Sequence, residues 1–364
     1  MVIKTENRWV PAFCLAILSF IAAIGCQPQT ATSPSTTPES NAGTVAIYGA
    51  GASFPNPLYQ RWFQEYNQIR PNVQISYDSV GSGAGVRRYL DRTVDFAASD
   101  VPLTKEEIQQ FRAKFNALPL QVPLTGGAIV LAYNLGGNVQ NLRLSREAYC
   151  GIVTGQIRNW NAPTIARANP SVTLPDQAIS FVHRSDSSGT TFIFTNHIDA
   201  ACPNWQVGTG KSVSWLVGIG GKGNEGVTAT IQQTPGSIGY VEYSYATQNK
   251  LNIATLENRA GQYVAPSPES AARALEGQQA PESFVLLVPD PADQQAYPIV
   301  GLTWMLLYRR YENSAKIESI QDFVRWALAE GDQDAVQLGY LPLTDPIAQR
   351  VQATVEQGII TNPG

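Results

Sequence analysis

The sequence is poor in the residues that hold metals and run acid–base chemistry near neutral pH. Of its 364 residues only two are histidine, His183 and His197, and four are cysteine. No HExxH and no CxxC pair occurs, so the spacings that build a catalytic zinc site or a Cys/His cluster are missing. A GxSxG element is missing too, which leaves a hydrolase serine without support. Positive charge is also scarce: Lys and Arg number 25 against 29 Asp and Glu, for a formal net charge of -4. A nucleic-acid-binding domain shows a basic stripe, and this balance argues against that class. Small anions are a different matter, because helix ends and backbone amides bind them without net positive charge. No internal repeat is visible.

What is present begins with a leader. Lys4 and Arg8 precede an apolar run from Trp9 to Gly25, short for a membrane span and closed by small residues. A basic start, an apolar middle and a small-residue end describe a secretory signal over residues 1–25. Cys26 follows directly, as in a bacterial lipobox whose cysteine is lipidated after cleavage. The plainer alternative is an ordinary signal peptide with a chance cysteine. Residues 26–44, rich in Pro, Ser and Thr, read as a flexible tether. Export places the remaining cysteines, Cys150 and Cys202, in oxidising surroundings. They either form one disulfide or stay as two separate buried thiols, and sequence alone leaves both open.

The chain is 43% hydrophobic, enough for a packed core, and its length suits two lobes. Strand-like and helix-like stretches alternate, which predicts α/β lobes with mixed or parallel sheets. Val45–Tyr48, Val73–Asp78, Phe96–Ala98, Ile129–Tyr133 and Thr303–Tyr308 read as strands. Pro57–Arg70, a stretch from Gly85, Ser319–Glu330 and Ile347–Gln357 read as helices.

Three segments share one design, a small polar or Gly-rich turn leading into a helix: Gly49–Pro55 (GAGASFP), Gly81–Gly85 (GSGAG) and Arg184–Thr190 (RSDSSGT). The first turn of a helix carries N–H groups without intrahelical partners and a partial positive charge. An anion there accepts those bonds. Ser and Thr hydroxyls add donors, and glycine lets the backbone come close. A single Ser before a helix is ordinarily just a cap; three such turns and one Arg point to a shared oxyanion site. Arg184 offers a planar fork for two oxygens, with Asp186 placed to orient it. Asp100 can only accept when ionised, so it repels a fully deprotonated anion and welcomes one that keeps a proton. That favours phosphate over sulfate or molybdate. Gly218–Gly223 fits GxGxxG, but no clear strand leads into it, and it reads as a glycine-rich loop before a helix.

These motifs, with VDFAASDVPL at Val94–Leu103, HRSDSSGTTFIFT at His183–Thr195, GGKGNEGV at Gly220–Val227 and PGSIGYVEYSYA at Pro235–Ala246, resemble the periplasmic phosphate-binding proteins of ABC-type phosphate importers. The resemblance implies a two-lobed Venus-flytrap fold (the type II periplasmic-binding-protein fold) with two chain crossovers. It places lobe I at 45–127 and 299–364 and lobe II at 128–298. It implies capture of inorganic phosphate and delivery to membrane permease and ATPase subunits by a monomer that is not an enzyme and carries no cofactor or metal. Such a protein sits in the periplasm or at the outer face of the cytoplasmic membrane, held only by its lipid. Carried over by motif, the phosphate ligands are Ser53, Phe54, Ser82, Asp100, Arg184, Ser188, Gly189 and Thr190, with Asp186 in support. A phosphatase on a related scaffold is the alternative from another class.

Overall fold

The computed structural model describes residues 43–136 and 139–361. The expected signal segment, nearly all of the tether and Cys26 lie outside the described residues. No helix among the described residues is long and apolar enough to cross a membrane.

The chain opens with strand β1 (Val45–Gly51), helix α1 (Asn56–Ile69), strand β2 (Val73–Ser79), helix α2 (Ser82–Leu90), strand β3 (Phe96–Ser99) and helix α3 (Lys105–Phe115). The three strands pair in parallel, with β1 between β2 and β3. In α1, Leu58, Tyr59, Trp62, Phe63 and Tyr66 recur at helical spacing and are buried, so one face packs into the core. Strand β4 (Leu120–Asn134) follows. Its residues are buried almost without interruption, as expected of a strand covered on both faces.

Strand β4 carries the chain from one half of the molecule to the other. Residues Leu120–Ala128 pair antiparallel with a return strand, Val300–Leu307, which also pairs with β3. From Ile129 to Asn134 the partner is instead Ser237–Glu242. That strand pairs in parallel with Ser180–Arg184, and Ser180–Arg184 pairs with Ile219–Gly221. The chain comes back beside the switch point, where Ile129 N–H donates to Ile299 O at 2.9 Å. The result is one curled sheet with two crossings, the two-lobed periplasmic-binding-protein fold.

Several elements differ from expectation for identifiable reasons. Ile129–Tyr133 is only the far part of β4. The near part hides behind Pro123, which has no N–H for a ladder; the pairing with the return strand slips between Thr303 and Trp304 beside it, as a bulge does. Helix α2 begins at Ser82, directly after Gly81, whose positive φ of 86° suits glycine. A helix expected from Ser319 begins at Ser314, because Asn313 caps it by accepting from Ala315 N–H at 2.8 Å. Gly218–Gly223 does contain a short strand, Ile219–Gly221, leading to helix Gly223–Gln233. It was invisible in the sequence because three residues rich in glycine carry no strand pattern. Cys150 and Cys202 are joined as a disulfide with Cα atoms 5.5 Å apart.

Candidate functional site: a buried oxyanion cleft

In open α/β sheets the crevice outside the carboxyl ends of the strands collects ligands. The candidate residues gather there. Ser53 and Phe54 follow β1, Ser82 follows β2, and Asp100 follows β3. Arg184 ends strand Ser180–Arg184, and Ser188–Thr190 open helix Gly189–Ala201. All are buried, Arg184 at 3% exposure included.

The two sets face each other in contact. Gly83 N–H donates to Ser187 O at 3.0 Å, and Asn224 N–H donates to Ser53 Oγ at 3.1 Å. Nearer the rim Lys211 pairs with Glu107 at 2.7 Å. A methyl group at Gly189 would overlap the Asp100 carboxylate and the Ser82 hydroxyl, so only glycine permits this approach.

Each hydroxyl already accepts from the protein, Ser53 twice and the others once. Ser53 Oγ accepts from Asn224 N–H and Nδ2, the latter at 2.9 Å. Ser82 Oγ accepts from Asp100 N–H at 3.3 Å. Ser188 Oγ caps its helix by accepting from Thr191 N–H at 3.0 Å, and Thr190 Oγ1 accepts from Asn224 Nδ2 at 3.1 Å. A hydroxyl has one proton and two lone pairs, so each of the four keeps a proton to give. Gly189 and Thr190 add first-turn N–H groups of a 13-residue helix.

The charges are arranged unequally. Arg184 Nε and Nη2 donate to Asp186 Oδ1 and Oδ2 at 2.8 and 2.6 Å, and Gly223 N–H also donates to Asp186 Oδ1 at 3.0 Å. Burial opposes the Arg184 charge, but Asp186 outweighs it and holds the guanidinium above its ordinary pKa. Arg184 Nη1 remains buried without a hydrogen-bond partner, and so do both oxygens of Asp100 and the hydroxyl of Thr303. Burial pushes the Asp100 carboxyl up to about 7, against the pull of nearby Thr303 and Arg184. Buried polar groups are nearly always paired. Four of the orphaned side-chain atoms among the described residues lie on these three neighbouring residues.

Two contributors were missed in the sequence. Asn224 sits in the GGKGNEGV segment and joins Ser53 to Thr190. Thr303 is the lone hydroxyl in the apolar run VGLTWMLL, and a polar residue inside a buried strand is the signal that could have found it. Phe54 is tied from behind: its carbonyl accepts from Tyr340 OH at 2.7 Å. Tyr340 OH also lies 3.1 Å from Glu242 Oε2.

Comparison with known proteins gives the lineage. A family model described as a PBP superfamily domain matches residues 32–330. The phosphate-binding protein PstS of Pasteurella multocida is 39% identical over 359 residues, 97% of each chain. That of Methanocaldococcus jannaschii is 34% identical over 371 residues, 95% of this chain and 94% of its own. Among solved structures, the phosphate-binding protein from Stenotrophomonas maltophilia superposes with a TM-score of 0.70 at 20% identity, covering 85% of this chain and 93% of that one. The high-affinity periplasmic phosphate-binding protein PfluDING, bound with phosphate, gives 0.73 at 21% identity, covering 85% and 94%. The chain belongs to the PBP superfamily and, within it, to the family of phosphate-binding proteins called PstS.

Proposed function

We propose that this protein captures inorganic phosphate in the closed cleft and delivers it to the permease and ATPase subunits of an ABC-type importer. The observation that carries the proposal is the set of buried, unpartnered groups: one carboxylate acceptor, Asp100, with Arg184 and Thr303 near enough to act on it and each holding an unpartnered donor. Phosphate near neutral pH presents several acceptor oxygens and at least one O–H. That is the complement of many donors and one acceptor. Sulfate has no proton to give, and an ionised Asp100 meets it with repulsion.

In this reading Ser53, Phe54 N–H, Ser82, Arg184, Ser188, Gly189 and Thr190 donate, Asp100 accepts, and Asp186 fixes the guanidinium. Residues 45–127 with 299–364 form lobe I and 128–298 form lobe II, and phosphate stabilises the closed arrangement of the two. The protein is a carrier and not a catalyst. Residues 1–25 direct export, Cys26 takes the lipid, and residues 26–44 tether a monomer at the outer face of the cytoplasmic membrane.

Calorimetric titration of the untethered body with phosphate, with sulfate and molybdate beside it, tests the ligand. Tight phosphate binding and negligible sulfate binding support the proposal; equal binding of the two sinks it. Phosphatase assays with and without divalent metals are expected to stay at background. Loss of phosphate uptake in a deletion strain is the expected transport result.

A further inference from the structure

We infer that Asn224 is a positioning residue that fixes the proton direction of one hydroxyl on each side of the cleft, and so dictates which ligand oxygens may carry the proton. The inference rests on the phosphate reading above and extends it.

The orientation of the amide is settled by a neighbour that can only donate. Glu242 N–H lies 3.0 Å from Asn224 Oδ1, so that atom is the carbonyl oxygen and the other carries two hydrogens. Those two hydrogens have two recipients. One is Ser53 Oγ at 2.9 Å, on the turn after β1. The other is Thr190 Oγ1 at 3.1 Å, in the first turn of helix Gly189–Ala201. Ser53 Oγ also accepts the backbone N–H of Asn224 at 3.1 Å. Both of its lone pairs are then filled. Ser53, Thr190 and Asn224 are at most 1% exposed, so water does not compete for these bonds.

A free serine or threonine hydroxyl is ambivalent. It can donate to a bare oxygen or accept from a protonated one. Asn224 removes that choice at Ser53 entirely and biases it at Thr190. Both hydroxyls then demand oxygens with free lone pairs, and a P–O–H group pointed at them would meet two opposed protons. Asp100 is different: it offers acceptor oxygens without a partner. The ligand's proton is thereby sent to Asp100. Because the same amide holds residues from both walls, the donor set is complete only when the walls are together.

The test is a double-mutant cycle read by calorimetric titration with inorganic phosphate. Asn224→Leu keeps the approximate shape and removes both side-chain donors. Asn224→Ser, too short to reach both hydroxyls, is the second variant in case the leucine protein does not fold, and ligand-free melting reports folding of each. Both are made in the wild type and in a Ser53→Ala, Thr190→Val background. In the wild type either substitution is expected to weaken phosphate binding about tenfold, the worth of a misdirected hydrogen bond or two. In the background without the hydroxyls, the same substitution is expected to cost less than about twofold, since nothing is left to orient. An equal loss in both backgrounds, or no loss in the wild type, overturns the inference. A wild type that binds no phosphate at all overturns the phosphate reading itself, which the unmutated titration decides separately.

Discussion

Asp100 and Asp186 lie on opposite walls of one cleft, are both largely enclosed, and behave in opposite ways. Asp186 receives three hydrogen bonds, two of them from the Arg184 guanidinium. Burial alone would raise its pKa; the guanidinium outweighs it and holds the carboxyl below its ordinary range. Asp100 has no partner at hydrogen-bonding geometry; the nearby Thr303 hydroxyl and Arg184 charge pull its pKa down only in part, and burial carries it up to about 7. A third carboxylate sharpens the point. Glu242 accepts from the Ser244 N–H and hydroxyl and has Tyr340 OH 3.1 Å away, all neutral groups, yet burial still pushes it up to about 8. Burial disfavours charge in all three, and only a charged partner reverses it. Asp186 therefore belongs to the scaffold of the arginine, whereas Asp100 is left open for something that arrives.

The comparison breaks most severely at Arg184. Arg184→Ala takes away the one guanidinium of the cleft and strands the Asp186 carboxylate. Removing one member of a buried, hydrogen-bonded charge pair costs on the order of 2–5 kcal/mol. Phosphate affinity is expected to fall on the order of 1000-fold, and the ligand-free protein is expected to melt at a lower temperature, both read on the same preparation. An affinity within about tenfold of wild type would mean the guanidinium does not touch the ligand.

Asp100→Asn makes the open wall neutral. The charge-assisted bond to the ligand's proton, about 1.5–3 kcal/mol, is lost, so phosphate binding should weaken roughly 10- to 100-fold. Sulfate binding should appear, because the repulsion that excludes it is gone. Failure to gain any sulfate affinity would move the discrimination elsewhere. In the wild type, sulfate should also be tolerated better at low pH, where Asp100 holds its own proton and can donate it.

Stability carries the same signature without ligand. The folded protein keeps the Asp100 proton up to about pH 7, while the ordinary carboxyl loses it near 3.8. Between these values the unfolded chain binds fewer protons, so stability falls as pH rises through the window. The contribution is whole below the lower value and gone above the upper one. Three units at ~1.4 kcal/mol each set the largest excursion at about 4 kcal/mol. Melting temperature should therefore drop from pH 5 to pH 8 in phosphate-free buffer, and Asp100→Asn should flatten the curve in part. The slope that remains is a balance: Glu242, raised to about 8, and Asp332, raised to about 6, act with the same sign, while burial lowers His197 to about 4 and makes stability rise with pH below the ordinary imidazole value.

Much of this was legible in the sequence because the site is built from local signals. Each turn announces itself by glycines and hydroxyls next to a helical stretch, and the order of the motifs carries the family. Asn224 was not legible in that way. Its role depends on Ser53, Thr190 and Glu242, which lie 171, 34 and 18 positions away. No local pattern encodes such a meeting. Thr303 was hidden for a related reason. Its strand reads as core with one hydroxyl in it, and the slip opposite Pro123 and the proximity of Asp100 show what that hydroxyl lies beside. The extent of β4 was obscured by Pro123 and by Gly126–Gly127, residues that depress any strand pattern while the tertiary sheet overrides them.

The smallest expected effect on binding comes from the disulfide, and it uses the two ends of one helix as the contrast. Ser188, Gly189 and Thr190 stand at the N-terminal end of helix Gly189–Ala201, while Cys202 follows its C-terminal end and is bonded to Cys150. Thirteen residues at ~1.5 Å each separate them by about 20 Å. Replacing both cysteines by serine removes a cross-link across 52 positions, which should lower stability by about 2–4 kcal/mol. It should leave phosphate affinity within about twofold of wild type, because the cap at Ser188 and the salt link at Asp186 are held by neighbours at the other end. A loss of affinity as large as that of Asp100→Asn would show that the helix transmits disorder along its length, and the ligand end would then owe its order to the disulfide and not to the cleft.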